Sequence, residues 1–198
     1  MAIEETARGA ALSAALLDIP SAPIVQSLLS VRSESSGPYA VAFRAYEHAK
    51  FVAVLRGRFY LQMGNESTLL RRGDCYALTR GNAYRIFNAD MPDSDATALF
   101  ATRRDIDGVV RWGDGTADTV TVGSRITFTP EGLAWLRDRL PPFIHVPAGT
   151  AEARRFRAIM NLLVRDPADE FGASFAADRY VVILLVQVLR HLAGEWRE

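Results

Sequence analysis

From Gly37 to about Phe128, short runs rich in Val, Phe, Tyr, Ile and Thr alternate with turn signals. The punctuation is Arg56-Gly57, Gly64-Asn65, Arg72-Gly73-Asp74, Arg80-Gly81-Asn82, Met91-Pro92-Asp93 and Gly113-Asp114-Gly115. Turns at intervals of roughly 8–12 residues are the signature of an antiparallel barrel or sandwich. Strands are predicted near 40–46, 50–56, 58–63, 66–71, 75–79, 83–88, 96–102, 108–112 and 118–128. Ahead of this region, residues 18–32 offer Ser21 as a cap, Pro23 in a first turn, and Ile24, Leu28 and Leu29 at helical spacing, which predicts a short helix.

After Phe128 the period becomes helical. Thr129-Pro130-Glu131 supplies an N-cap, a first-turn proline and an acid at the positive end of a helix that stops before Pro141-Pro142. A second helix opens at Gly149 or Thr150, sets Phe156, Ile159, Met160, Leu163 and Val164 on one face, and ends at Asp166-Pro167. A third opens at Ser174 and runs through VVILLVQVLRHL to Gly194. The chain thus divides into a leader and short helix (1–36), a β-barrel (37–128) and C-terminal helices (129–198).

The third helix is apolar nearly all round, so it needs cover on more than one side. Either it packs wholly against the barrel and its neighbour, or a second copy of the chain covers it. The second arrangement is expected, a homodimer with Val182, Leu185, Val186 and Leu189 in contact. Each such side chain withdrawn from water contributes roughly 1.5–3 kcal/mol.

Composition narrows the function classes. The 198 residues are 49% apolar and 23% charged, in the range of ordinary globular proteins. Basic and acidic residues number 23 each, so the chain lacks the basic excess that nucleic-acid affinity usually needs. A lone cysteine, Cys75, excludes a disulfide within the chain, and it reads as an inert packed thiol. The longest apolar run is Tyr180 to Val186, far short of the ~20 residues a membrane helix takes. Glu4 and Glu5 stand where a signal peptide would be basic. A cytoplasmic protein without membrane contact is expected. There are 22 arginines and one lysine, Lys50.

One spacing is more specific. Gly73, Thr79-Arg80-Gly81, Tyr84 and Asn88 follow the second cupin motif, with Thr79 in place of its proline and Tyr84 in place of its histidine. The first cupin motif places a glutamate seven residues before a glycine. In AYEHAKFVAVLRG that glycine is Gly57, and the glutamate position is Lys50. The histidine pair of that motif falls near Arg44 to Tyr46, where neither end is histidine. Across the chain, ALLDIPSAPIVQSLLSVR, KFVAVLRGRFYLQM, LLRRGDCYALTRGNAYRIF, TVGSRITF, LRDRLPPFIHV and the last two helices resemble, in that order, the N-terminal cupin-type sensor domain of AraC-type transcription regulators.

That resemblance implies a mainly β fold with an α appendage: a cupin-like double-stranded β-helix, or jelly-roll, followed by a helical dimerisation segment. It implies a small-molecule effector inside the barrel, and DNA binding only through a C-terminal domain missing from this chain. Residues 151–198 hold seven arginines and seven acids and leave no room for two helix-turn-helix units. The chain is then a sensor domain cut from a longer regulator or a free-standing relative, and the former is expected.

The resemblance also implies that Lys50, Val52 and Val54 face the interior on one strand, and Tyr84 and Ile86 on another. These five are the candidate ligand-binding residues. A buried lysine must be paired or lose its charge. Lys50 either meets an acidic group on the effector, or reaches the barrel mouth or a structural carboxylate such as Glu47. Phe43, Tyr46, Phe51, Phe59, Tyr60, Tyr76 and Phe87 are further candidates for the cavity wall, though core packing explains any one of them as well. No metal is expected, because a lysine at a ligand position repels a cation and His48 lies two positions from it. His145 is assigned to the junction between barrel and helices, and His191 to a helix C-terminus. No catalytic residue and no cofactor are expected: the chain has no phosphate loop, dinucleotide fingerprint or paired-carboxylate signature. The competing class is a cupin isomerase or oxygenase with a displaced metal site.

Overall fold

A computed structural model describes residues 25–103, 108–165 and 173–195. Eleven strands form two sheets among these residues. The first sheet holds β1 (Val25–Ser35), β3 (Ala49–Arg56), β6 (Cys75–Leu78), β9 (Val110–Trp112), β10 (Thr119–Phe128) and β11 (Phe143–Val146), in the order β11-β6-β3-β10-β1-β9. The second holds β2 (Ala40–Phe43), β4 (Arg58–Met63), β5 (Glu66–Arg71), β7 (Tyr84–Phe87) and β8 (Ser94–Asp95), in the order β5-β4-β7-β2-β8. Pairing is antiparallel except for β1 with β9 and β2 with β8. Four helices complete the fold among the described residues: α1 (Ala96–Thr102), α2 (Pro130–Arg139), α3 (Ala151–Arg165) and α4 (Ala173–Glu195). The mainly β, two-sheet architecture with a helical appendage agrees with the sequence reading. Among the described residues, no helix is long and apolar enough to cross a membrane.

The first sheet is covered on both faces, and this organises the molecule. Side chains alternate along a strand. On one face Ala49, Phe51, Ala53, Cys75, Ala77, Val122 and Ile126 join Phe156, Met160, Leu184 and Leu189 in one core with the helices. On the other, Val52, Val54, Tyr76 and Leu78 meet Val41, Phe59, Leu61, Leu70 and Tyr84 of the second sheet. Burial of both faces explains why AKFVAVLR reads as an almost continuous apolar run. Lys50 interrupts it.

Several expectations are corrected. The described part of the predicted helix over 18–32 is strand β1, paired with β10 from Val25↔Phe128 to Ser35↔Thr119. Leu28 packs into the helix-side core while Leu29 lines the cavity on the other side. Apolar residues on both faces of one strand thus imitate helical spacing. The proposed cap and first turn at Ser21 and Pro23 lie outside the described residues. The strand predicted at 96–102 is helix α1, capped by Asp95, whose side chain accepts from the Ala98 N–H at 3.1 Å. β11, which the sequence reading did not predict, follows Pro141-Pro142 and pairs with β6.

The last helix also differs from expectation. Leu185 and Leu189 are fully buried within the single chain, in the core shared with α3 and the first sheet. They are therefore unavailable to a partner. Val182 and Val186 remain half-buried, beside the exposed Ile183. Cys75 is buried, and burial pushes its thiol up to about 12. His145 Nε2 sits 3.3 Å from Asp74 Oδ2, and Asp74 Oδ1 accepts from the Ala148 N–H, which ties the sheet to the entrance of α3. His191 is buried on α4.

Candidate functional site

Between the sheets lies a cavity of about 490 Å³, a size typical of small-molecule sites. Strand register builds its floor in rows. Leu29, Arg125 and Lys50 lie side by side across β1, β10 and β3. The next row is Val31, Gly123, Val52 and Tyr76. Ser33 and Thr121 follow in the third. Phe43, Tyr84 and Ile86 of the second sheet form the opposite wall, and Phe100 of α1 with Trp112 of β9 closes one end.

Lys50 is the polar focus. Its Nζ donates to Tyr84 Oη at 3.1 Å. It lies 4.1 Å from the Tyr46 ring centroid, 4.3 Å from Phe43 and 4.8 Å from Tyr84. Phe43 and Tyr84 are stacked, with centroids 4.4 Å apart and planes 3° from parallel. Tyr46 is held by a close backbone approach: its N–H donates to the Gly81 carbonyl at 2.9 Å. Gly81 has φ +71°, and a Cβ there would overlap the Tyr46 carbonyl oxygen, so this turn of the second motif requires glycine.

Burial, with the Arg125 charge across the strand pair adding to it, lowers the Lys50 amine to about 7. The π faces attract an ammonium, but they offset only part of what is lost with its water. Burial likewise lowers His48 to about 4, with Lys50 and Arg125 adding to the effect. His48 Nε2 and Tyr46 Oη are buried without a partner among the described residues. Burial raises the Tyr84 phenol well above its ordinary value, so it remains an O–H.

Of the five candidate ligand-binding residues, Lys50, Val52, Tyr84 and Ile86 line the cavity. Val54 is the exception. It lies on the same face of β3 but is fully buried in the inter-sheet core beyond the cavity floor. Lys50 neither reaches Glu47 nor leaves the cavity: its amine turns inward to Tyr84. Among the wider aromatic set, Phe43, Tyr46 and Tyr76 line the cavity, whereas Phe51 and Phe59 are core and Tyr60 is exposed against Phe87. Arg125, Phe100 and Trp112 were not singled out from the sequence. Arg125 could be found only from the β3–β10 register, which joins segments far apart in the chain.

The lining does not suit a metal cation. Lys50 and Tyr84 occupy the motif positions, Arg125 adds positive charge, and no Asp or Glu among the described residues lines the cavity. No three His, Cys, Asp or Glu side chains gather as a metal site among the described residues.

Residues 15–194 match the sequence model of a family described as Cupin. Over 169 residues, 83% of this chain, the sequence is 33% identical to proteins of Streptomyces antibioticus and Streptomyces lividans described as AraC-like transcription regulators. The chain spans about half the length of these curated relatives, 55% of each. The fold is similar to that of ToxT from Vibrio cholerae in its unsaturated-fatty-acid-bound crystal structure. The TM-score is 0.51 over 86% of this chain and 57% of that one. Identity is 9%, so this likeness is one of fold.

Proposed function

The chain belongs to the cupin family, and on that premise we propose that it is the effector-sensing and dimerisation part of an AraC-type transcription regulator, not an enzyme. The observation that carries this reading is a hollow space between the sheets with mainly apolar walls, one basic end and no acid in its lining among the described residues. Such a site suits a mostly apolar organic molecule with an electron-rich oxygen, as a carboxylate or a carbonyl, turned toward Lys50 and Tyr84. The fatty acid named in the ToxT structure is a ligand of that general build. A displaced metal enzyme is disfavoured by the positive charge at the motif positions.

The same sheet that floors the cavity carries the helices on its back, which supplies a route for output. β1 contributes Leu29, Val31 and Ser33 to the cavity. At its start, the Val25 N–H donates to Asp178 Oδ1 on α4 at 3.3 Å. A ligand that moves β1 shifts α4 with it, and it biases the output only by its difference in affinity for the two poses. The outward face of α4, with Ile183 44% and Phe175 68% exposed beside Val182 and Val186, is the surface assigned to a second copy. DNA contact is assigned to a separate domain in the cytoplasm, in line with the greater length of the relatives.

The test is a thermal-shift panel of apolar carboxylic acids and their neutral analogues, on the wild type and on Lys50→Met. A bound ligand raises the melting temperature with its concentration over its dissociation constant. Acids are expected to stabilise the wild type, with affinity falling about tenfold or more in Lys50→Met, the size of one charge-assisted hydrogen bond. Affinities for every binder that are identical in the two proteins would remove Lys50 from recognition.

A further inference from the structure

The cage around Lys50 is a poor home for an ammonium ion and a good one for something else. An ammonium has three N–H donors. Among the described residues the Lys50 amine has one oxygen partner, Tyr84 Oη, and no carboxylate bridges to it. Its other neighbours are the faces of Phe43, Tyr46 and Tyr84. A protonated imine on the same nitrogen has a single N–H, which one phenol oxygen satisfies. Its charge is spread over carbon and nitrogen, which suits flanking π faces more than the compact, strongly hydrated ammonium does.

We infer that Lys50 is a reversible covalent site, at which the carbonyl carbon of an apolar aldehyde or ketone condenses with the amine to form an imine inside the cavity. This rests on the cavity being the effector site, and it names the effector's class. The Nζ lone pair forms the N–C bond while the carbonyl π pair moves to oxygen. That oxygen takes a proton, and nitrogen gives one up, leaving a carbinolamine. The carbinolamine hydroxyl leaves as water after receiving a further proton, and the nitrogen lone pair closes the C=N bond. The net change is amine plus carbonyl to imine plus water, with one proton retained when the imine is held as the iminium. No oxidant or reductant is needed. Tyr84 Oη is placed to hydrogen-bond the departing hydroxyl, whose proton comes from water, since burial keeps the phenol an O–H. The depressed lysine agrees with this chemistry, because the attacking species is the free amine. Water released in the step leaves a cavity whose lining includes Val31, Val52, Ile86 and Phe100.

The sequence makes the test clean, because Lys50 is the only lysine and the N-terminal amine is the only other primary amine. The full chain is incubated with cinnamaldehyde or benzaldehyde and sodium cyanoborohydride near neutral pH, followed by intact mass and peptide mapping. One reductive adduct per chain is expected, on Lys50. It should form about tenfold or more faster than on free Nα-acetyl-lysine, because more of the Lys50 amine is unprotonated there. Tyr84→Phe is expected to slow trapping, and Lys50→Arg to abolish it while circular dichroism stays native. Mapping on the wild type decides the matter even where a variant fails to fold. Adducts confined to the N-terminal amine, or a rate on Lys50 equal to that of the free amino acid, would overturn the inference. If the aldehydes or acids stabilise the chain without a Lys50 adduct, the imine falls and the sensing reading stands. If nothing in either panel binds, both fall.

Discussion

A single lysine in a chain of 22 arginines sits where it must lose either water or charge. Lys50 ordinarily titrates near 10.5, and burial with Arg125 opposite lowers it to about 7. Between those limits the unfolded chain holds a proton that the folded chain has released. Raising the pH through this window therefore favours the folded state. The expected outcome is a melting temperature that rises in wild type relative to Lys50→Met from about pH 7 toward pH 10.5, read by calorimetry on both proteins. Taking the difference cancels other alkaline titrations. A flat difference would show that the folded lysine keeps its charge. Lys50 and Tyr84 were legible because each occupies a position of a spaced motif. The cage was only half legible: Phe43 and Tyr46 stood among many aromatics, and nothing local distinguishes a cavity aromatic from a core one.

Strands give the site its shape, and the register between them matters more than any one strand. Gly123 lies opposite Val31 and Val52, and its missing side chain leaves the middle row open. A Cβ there would lie 3.5 Å from Val52 Cγ2, an ordinary contact. Gly123→Val is therefore expected to fold, with stability changed by no more than ~1 kcal/mol, the span of strand propensity. Ligand affinity should fall about tenfold or more as the added methyls enter the cavity. Thermal shift with and without ligand separates the two effects. Unchanged affinity would move the ligand off the floor of the first sheet. The spacing of β1 imitates a helix because Leu28 packs into the helix-side core while Leu29 lines the cavity on the opposite face. α1 passed for a strand because its apolar run is short, and only the Asp95 cap and the alanines mark it as helix.

At the scale of the whole molecule, cavity and helices share one sheet, so a ligand in the cavity and a partner on the helices would act on the same element. α4 buries Leu184, Leu185, Val188 and Leu189 inside the chain and leaves Ile183 exposed, flanked by the half-buried Val182 and Val186. A homodimer through that outward face is expected at tens of micromolar by analytical ultracentrifugation. Ile183→Glu should return it to monomer without lowering the melting temperature of the monomer. Each isoleucine covered contributes roughly 1.5–3 kcal/mol, and a two-fold interface counts it twice, so the loss is about 100-fold in association or more. A wild type that sediments as a monomer would leave this face to another partner.

By itself the sequence determined the class of fold, the two long helices that end the described chain and the two motif positions held by Lys50 and Tyr84. Those are properties of local alternation, turn residues and fixed spacing, which neighbours along the chain dictate. The tertiary structure alone decided which apolar residues face the cavity and which face the helices. It also brought Arg125 beside Lys50 and withdrew Leu185 and Leu189 from the surface. The physical reason is that burial of a sheet on both faces makes apolar residues common on either side of its central strands. Pattern then no longer says which side a residue serves, and only the register between distant strands does.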